Sequence, residues 1–429
     1  MAESPRNPET VRAGRLWSRT FVSLRYRDFR LVWLGSLAEH VGEFMQLTAL
    51  LWLMNQLTGS PLLLTLLTAC RFMPMVFLSA IGGVAADRVN RRNLLIVALL
   101  GSICLSLALA ILVFIDRVAW WHLIVIALLG GMAVSLNHPT RQAIVPNLVK
   151  REHLMNAVSL DSASVMGALM VAGPIAGYII DNVGVSPTFG PRAAGFLGVS
   201  LVFALRVVGV VITIWLLLLA RIPSTPPGAR RRAVWQNLGE GLKYVRQHTV
   251  VFALLALFLL PRLSGESLRS FLPQFADILH VGATGYGLLM AAFGLGAFLG
   301  LIGVASLDDY KRKGMLLFVL GCILGLALIG FSVSPWLLLS LLFLVIAGGM
   351  AQTFTAVNAT LIQRTIPDEV RGRVMSLREV AFGLGPSGGL LFGVMAEYSG
   401  VSYTVGLMGI ICFAIPLALA FLLPKVRGL

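Results

Sequence analysis

The residues in this sequence that could do chemistry are the charged side chains set inside otherwise apolar stretches. Glu39 and Glu43 stand four residues apart, on one helical face, with His40 beside them. Arg71 lies ten residues into the next apolar stretch, and Arg262, Glu266 and Arg269 stand at i, i+4 and i+7 in a later one. Counted from Arg30 at ~1.5 Å per residue, Glu39 and Glu43 fall roughly 13 and 20 Å along a membrane helix, with Arg71 at similar depth. An ionisable group near a bilayer centre costs at least ~2.5–3.5 kcal/mol, so each needs a reason to be there. Either the carboxylates exchange protons or hold a cationic part of a substrate, or they form static ion pairs with Arg71, Arg262 and Arg269. Asn137, Gln352 and Asn358, with Ser135, Thr140 and Thr355, offer hydrogen bonds to a ligand or to a neighbouring helix. Asp161, Arg378 and Glu379 sit near helix ends, where a gate is the expected role. Arg206 is deep in its stretch, with a partner expected only in the fifth.

The elements that must position these groups are membrane helices. Of 429 residues, 57% are apolar and only 12% charged, about half the charged share of an ordinary soluble domain. Apolar runs of about 20 residues or more, the length a span needs, cover 31–53, 61–84, 93–115, 119–140, 154–181 and 193–220, then 250–277, 284–307, 314–334, 336–360, 373–396 and 401–424. Turn chemistry separates them, as in Gly59-Ser60-Pro61 and Ser334-Pro335. Twelve transmembrane helices are expected. They divide the chain into a segment 1–30, a bundle 31–220, a linker 221–249, a bundle 250–424 and a tail 425–429. Residues 1–30 are polar and basic, and the first run lacks a small-residue cleavage site after it, so it stays as a membrane helix.

The net charge of +15 does not mark a nucleic-acid protein, because Lys and Arg sit in short clusters between the runs. The N-terminal segment, the even-numbered connections and the tail hold 26 of the 34 basic residues, and the odd connections hold Arg117 and Arg192 alone. That asymmetry puts both termini in the cytoplasm and the protein in the cell's inner membrane. Trp52, Trp120, Trp121 and Trp336 then fall at the outer interface. In the linker, Trp235, Leu238, Leu242 and Val245 form one helical stripe behind Arg230, Arg231 and Arg232, which reads as a helix on the inner leaflet or as a solvated connection. Cys70, Cys104, Cys322 and Cys412 have no paired spacing and read as small core residues.

The two halves repeat each other. Gly42-Glu43 returns as Gly265-Glu266, Asp87 with Arg91-Arg92 as Asp308 with Arg312-Lys313, and Asn137 as Asn358. Ser159-Leu160 returns as Ser376-Leu377, and Gly173-Pro174-x-x-Gly177 as Gly385-Pro386-x-x-Gly389. Two halves of equal orientation form a parallel repeat about an axis along the membrane normal, the arrangement of carriers that rock around a central site.

Gly83-Val84-Ala85-Ala86-Asp87-Arg88-Val89-Asn90-Arg91-Arg92 resembles the signature loop between the second and third helices of the major facilitator superfamily. Gly173-Pro174-Ile175-Ala176-Gly177 resembles its fifth-helix motif associated with antiporters. The stretches Asp28–Pro61, Asn137–Leu160 and Arg371–Leu377 look most like the bacterial branch that contains the enterobactin exporter and macrolide efflux proteins. One departure is that Ile124–Val134 carries no charge, where many drug antiporters of the superfamily have an Arg; Arg141 lies beyond it. The resemblance implies that the first and seventh helices line a central cavity. It also implies a latch in which Asp87, flanked by Gly83, Arg88, Arg91 and Arg92, pairs with Arg371 or Arg373 in the outward-facing state. The Gly-Pro motifs serve close packing or a gating hinge.

No H-E-x-x-H, Walker loop or nucleophile elbow is present, so an enzyme is not expected, and neither a cofactor nor a metal site is. The expected function is secondary active transport by alternating access: proton-coupled export of a small amphipathic molecule such as a siderophore or macrolide, by a monomer in the lipid bilayer. The rivals are a lipid or lysolipid flippase, an uptake symporter, and a transporter-shaped sensor that binds without translocating.

Overall fold

The computed structural model describes residues 21–88, 91–183, 191–221, 234–305, 312–422 and 424–427. Among them there are helices and no strand. In chain order the long helices are α1 (Arg27–Thr58), α2 (Pro61–Arg88), α3 (Arg91–Phe114), α4 (Trp120–Ile144), α5 (Leu154–Asn182) and α6 (Pro191–Leu219). After a linker helix, Val234–Gln247, come α7 (Thr249–Ile278), α8 (Gly282–Ala305), α9 (Lys313–Ser332), α10 (Leu337–Thr365), α11 (Asp368–Ser399) and α12 (Val401–Leu422). Nine stretches among the described residues are long and apolar enough to cross a membrane, those of α3 to α10 and α12. The described side chains of α2 give a shorter apolar stretch, Pro61–Val76; α1 and α11 carry charge along their length.

The helices end where local chemistry stops them. Gly59 adopts a left-handed φ of 62°, its N–H bonded to the Asn55 carbonyl, a turn that costs a residue without Cβ least. Pro61 then opens α2, where its missing donor is harmless. Several helices run past the apolar stretches seen in the sequence. In α4 the extension reaches Ile144, so Arg141 belongs to the helix rather than to the connection.

The same pairings recur six helices apart: α2 on α4 as α8 on α10, α3 on α6 as α9 on α12, and α1 on α5 as α7 on α11. Two contacts of the same kind, α5 on α8 and α11 on α2, join the first six helices to the last six. The largest apolar core is shared by both sets. It contains Trp52, Leu67 and Phe203 together with Phe271, Tyr286 and Phe331. Towards the opposite end each set has its own smaller core, around Phe29, Leu99 and Val145 in one and around Leu254, Leu361 and Val374 in the other. The outer helices α3, α6, α9 and α12 expose Val97, Ile111, Val208, Trp215, Leu326 and Phe421, an apolar surface that a bilayer covers.

One expectation about placement is corrected. Trp120, Trp121 and Trp336 are exposed, but Trp52 is buried and stacks on Tyr286 of α8, ring centroids 5.9 Å apart, so it plugs the shared core instead of sitting in an interfacial belt. The linker helix packs on α11, where a Cβ on Gly241 would lie 2.8 Å from the Arg373 carbonyl oxygen; Val245 enters the core of the second set, and Leu242 is exposed. The side chains of Trp235 and Leu238, and residues 230–232, lie outside the described part.

Candidate functional site

α1 brings Glu39, His40 and Glu43 against α4, α2 and α6. The Glu39 carboxylate accepts from Asn137 at 2.5 Å and from Arg141 at 2.9 Å, all three side chains buried. Arg141 also lies 2.5 Å from His40 Nε2, and Ser164 of α5 lies 3.3 Å from His40 Nδ1. Arg206 of α6 donates to the Glu39 backbone carbonyl at 2.7 Å and packs over Gly42, where a Cβ would lie 3.1 Å from its Cδ. Its partner is therefore in α1, not in the fifth helix as the sequence suggested. Both new contacts cross to residues roughly a hundred or more positions away, which no local spacing reveals. Among the described residues Glu43 pairs with Arg71, at 2.6 Å, and its side chain is the least enclosed of the three acids at 20% exposure. A small cavity of about 10 Å³ lies between Arg71, Gln46, Ser102, Gly130 and Arg206, inside the first set of helices.

α7 carries the second cluster. Arg262 lies 3.3 Å from one oxygen of Glu266, and Arg269 pairs with the other oxygen, so the i, i+4, i+7 row forms one array. The Arg269 guanidinium sits 5.9 Å from the centre of the Phe293 ring on α8. Ser270, one residue on, bonds Thr68 of α2 at 2.7 Å and ties this helix to the first set.

The polar candidates divide. Asn137 joins the charge cluster. Asn358, its repeat partner, is fully buried and donates to the Leu254 carbonyl of α7 at 2.8 Å, so it ties α10 to α7. Both asparagines thus fasten a fourth helix to a first. Ser135, Thr140 and Thr355 bond carbonyls of their own helices. Gln352 is partly exposed on α10. Of the free cysteines only Cys412 is buried, and Cys104 is exposed on the outer surface of α3.

Gly173 and Gly177 of α5 are packing residues. A Cβ on Gly173 would lie 2.7 Å from the Gly287 carbonyl of α8, and one on Gly177 would overlap the Ala283 carbonyl. Pro174 lies at the same crossing, its Cα against Gly287. The repeated motif in α11 does a different job: Gly385 and Gly389 admit Arg262 and Ser267 of α7, within the second set, and Pro386 is buried between them. The latch residues Gly83, Asp87 and Arg88 occupy the end of α2 and Arg91 the start of α3, but their side chains lie outside the described part, as does Asp308. Arg92 donates to the Leu218 carbonyl at 2.6 Å, and Arg371 and Arg373 stand in the first turns of α11.

The two sets meet through polar contacts at the end that carries Gly59. Asn55 donates to Asp277 at 2.6 Å, Gln274 to the Gly59 carbonyl at 2.7 Å, and Ser60 to Glu397 at 2.6 Å. Asp181 accepts the N–H groups of Ala283 and Thr284. With the stack of Trp52 on Tyr286 beneath, this end is closed.

Comparison with known proteins agrees with this geometry. Residues 18–428 match a family model described as transmembrane secretion effector. The chain is 22% identical to the staphyloferrin A transporter of Staphylococcus aureus over 90% of its own length and 94% of that protein. It is 26% identical to the enterobactin exporter of Shigella boydii over 69% and 68%. The fold is similar to the crystal structure of a D-xylose–proton symporter, with a TM-score of 0.72 at 14% identity, covering 95% of this chain and 98% of that one.

Proposed function

The chain belongs to the transmembrane secretion effector family of the major facilitator superfamily, and on that premise we propose that it exports a small amphipathic molecule in exchange for protons. As a member of that family it is a multi-pass membrane protein and a secondary transporter, not an enzyme. In this reading twelve spans form two six-helix bundles, residues 31–220 and 250–424, with both termini in the cytoplasm of a cell whose inner membrane holds it. The Gly59 end then faces outward, and the structure is the externally closed state. The Asp87 latch is assigned to the opposite end, where it closes when the bundles rock over.

Glu43 carries the coupling role. It is a half-buried acid with one cationic partner among the described residues, whereas Glu39 is held by Arg141 and Asn137 and Glu266 by two arginines. A proton on Glu43 removes the charge that holds Arg71, so proton uptake weakens the pair. That ties protonation to a movement of α2 against α1, the differential contact a two-state carrier needs. Glu39 and Glu266 serve as further stations or as fixed counter-ions.

The reading is tested by proton release from everted vesicles on addition of a panel of siderophores, macrolides, dyes and lysolipids. Release by at least one compound, abolished in Glu43→Gln, is expected. Intact pH-driven transport in Glu43→Gln would remove the coupling role. Exchange of labelled lipid between leaflets without proton movement would instead favour a flippase.

A further inference from the structure

We propose that the cavity between Arg71 and Arg206 is a binding site for a monatomic anion of halide size, held inside the first set of helices. The site lies beside the Glu43–Arg71 pair, yet it does not depend on the transport reading, because it needs only the cavity and its two cations.

Arg206 of α6 is a buried cation, 3% exposed, and among the described residues no ion pair joins it to a carboxylate. It donates to the Glu39 main-chain carbonyl, and its Nε is without a partner among the same residues. A carbonyl takes up one of the five guanidinium donors but leaves the full charge in place. Arg206 packs over Gly42, and the acids on either side of that glycine are engaged elsewhere, Glu39 by Arg141 and Asn137 and Glu43 by Arg71. A cation so enclosed and uncompensated is costly, and a small counter-anion removes the cost.

The space for one is present. The cavity measures about 10 Å³, room for one water-sized body. Arg71 and Arg206 are the charged residues of its wall, Gln46 and Ser102 are polar, and aliphatic side chains close much of the rest. No acidic residue is in that wall among the described residues. Arg71 gives its Nη2 to Glu43, while its Nη1 lies 3.9 Å from where a Cβ on Gly130 would stand, towards the cavity wall. A water molecule there would accept hydrogen bonds and neutralise nothing. A chloride ion does both, and a molecular anion such as sulfate or a carboxylate is too large.

The test is thermal unfolding of the full-length protein in a non-ionic detergent at constant ionic strength, with sodium gluconate exchanged stepwise for sodium chloride or sodium bromide. Both halides should raise Tm along a saturating curve, because a ligand of the folded state stabilises it by mass action. Arg206→Met, which removes the cation and keeps an unbranched chain, should abolish the rise. Gly130→Ala keeps both arginines and meets no atom closer than 3.9 Å, so it should fold normally and weaken halide binding several-fold by taking up its space. Broadening of the chloride NMR line by the unaltered protein, reduced several-fold in Gly130→Ala, measures binding directly and decides the matter should Arg206→Met fail to fold. Equal Tm values in chloride and gluconate, with no broadening, would overturn the site and leave the cavity to water. A rise that does not saturate, or one that survives both substitutions, would assign the effect to screening or to an anion elsewhere and overturn the site as well.

Discussion

Asp181, in the last turn of α5, accepts the backbone N–H of Thr284 at 2.6 Å and that of Ala283 at 3.1 Å, so a carboxylate of the first set caps the first turn of α8 in the second. Glu397 of α11 returns the favour across the other seam: it accepts from Ser60 and from the Leu62 N–H at the start of α2. α5 meets α8 as α11 meets α2, and each seam is closed by one acid on free helix N–H groups, where negative charge is favoured.

Removing one cap should loosen this end. A cap of this kind is worth about 1 kcal/mol, roughly a fivefold shift of an equilibrium. Asp181→Ala should therefore raise, several-fold, the rate at which a membrane-impermeant maleimide labels Met290→Cys, a position on α8 that is 1% exposed, with the four native cysteines replaced. An unchanged labelling rate would mean that the shared apolar core alone holds the seam.

The glycines of α5 permit a sharper contrast. Gly177→Ala should force α5 from α8 because its Cβ overlaps the Ala283 carbonyl, whereas Gly167→Ala meets nothing within 4 Å and should be tolerated. A loss of about 1–3 kcal/mol is expected for the first, the usual cost of overpacking, and little for the second. Thermal unfolding in detergent would compare them. Equal Tm values would contradict the tight seam and leave the hinge reading of Gly173-Pro174-x-x-Gly177.

What could be read in the sequence follows the range of the forces involved. The row Arg262, Glu266, Arg269 was legible because helical periodicity alone puts neighbours in reach. The repeat and the family were legible because matched residues stand at a nearly constant shift. The pairing of Glu39 with Arg141 was not: it joins helices 102 residues apart, and Arg141 looks like a loop cation until α4 is seen to continue. Trp52 likewise satisfied an interfacial rule by position, while its environment depends on Tyr286, far along the chain. Sequence repeat also overstated equivalence, since Gly173 packs across the two sets and Gly385 within one.

The Glu39–Arg141 pair should behave as a buried ion pair. Glu39→Gln takes the carboxylate from the Arg141 guanidinium and should cost about 3–5 kcal/mol, because breaking a buried pair strands a charge. The double change Glu39→Gln with Arg141→Gln should recover much of that loss. Unfolding curves of the two single variants and the double variant form the cycle that measures it. Additive losses would show that the two residues act separately.

The last prediction concerns the end of the molecule opposite the Asp181 cap. By resemblance Asp87, at the end of α2, latches to Arg371 or Arg373 at the start of α11, and α2 already packs along α11. The linker helix leans on the same turn through Gly241 against the Arg373 carbonyl, so the latch site is braced from the linker side. Asp87→Asn removes the charge but keeps the size, which should favour the state closed at Gly59. Transport should fall by about tenfold, the factor that 1.4 kcal/mol sets, while membrane content stays normal. Labelling of Met290→Cys should fall or stay low, opposite to the effect of Asp181→Ala, because the two acids hold opposite states. Normal transport in Asp87→Asn would refute the latch, and raised labelling would refute its assignment to that end.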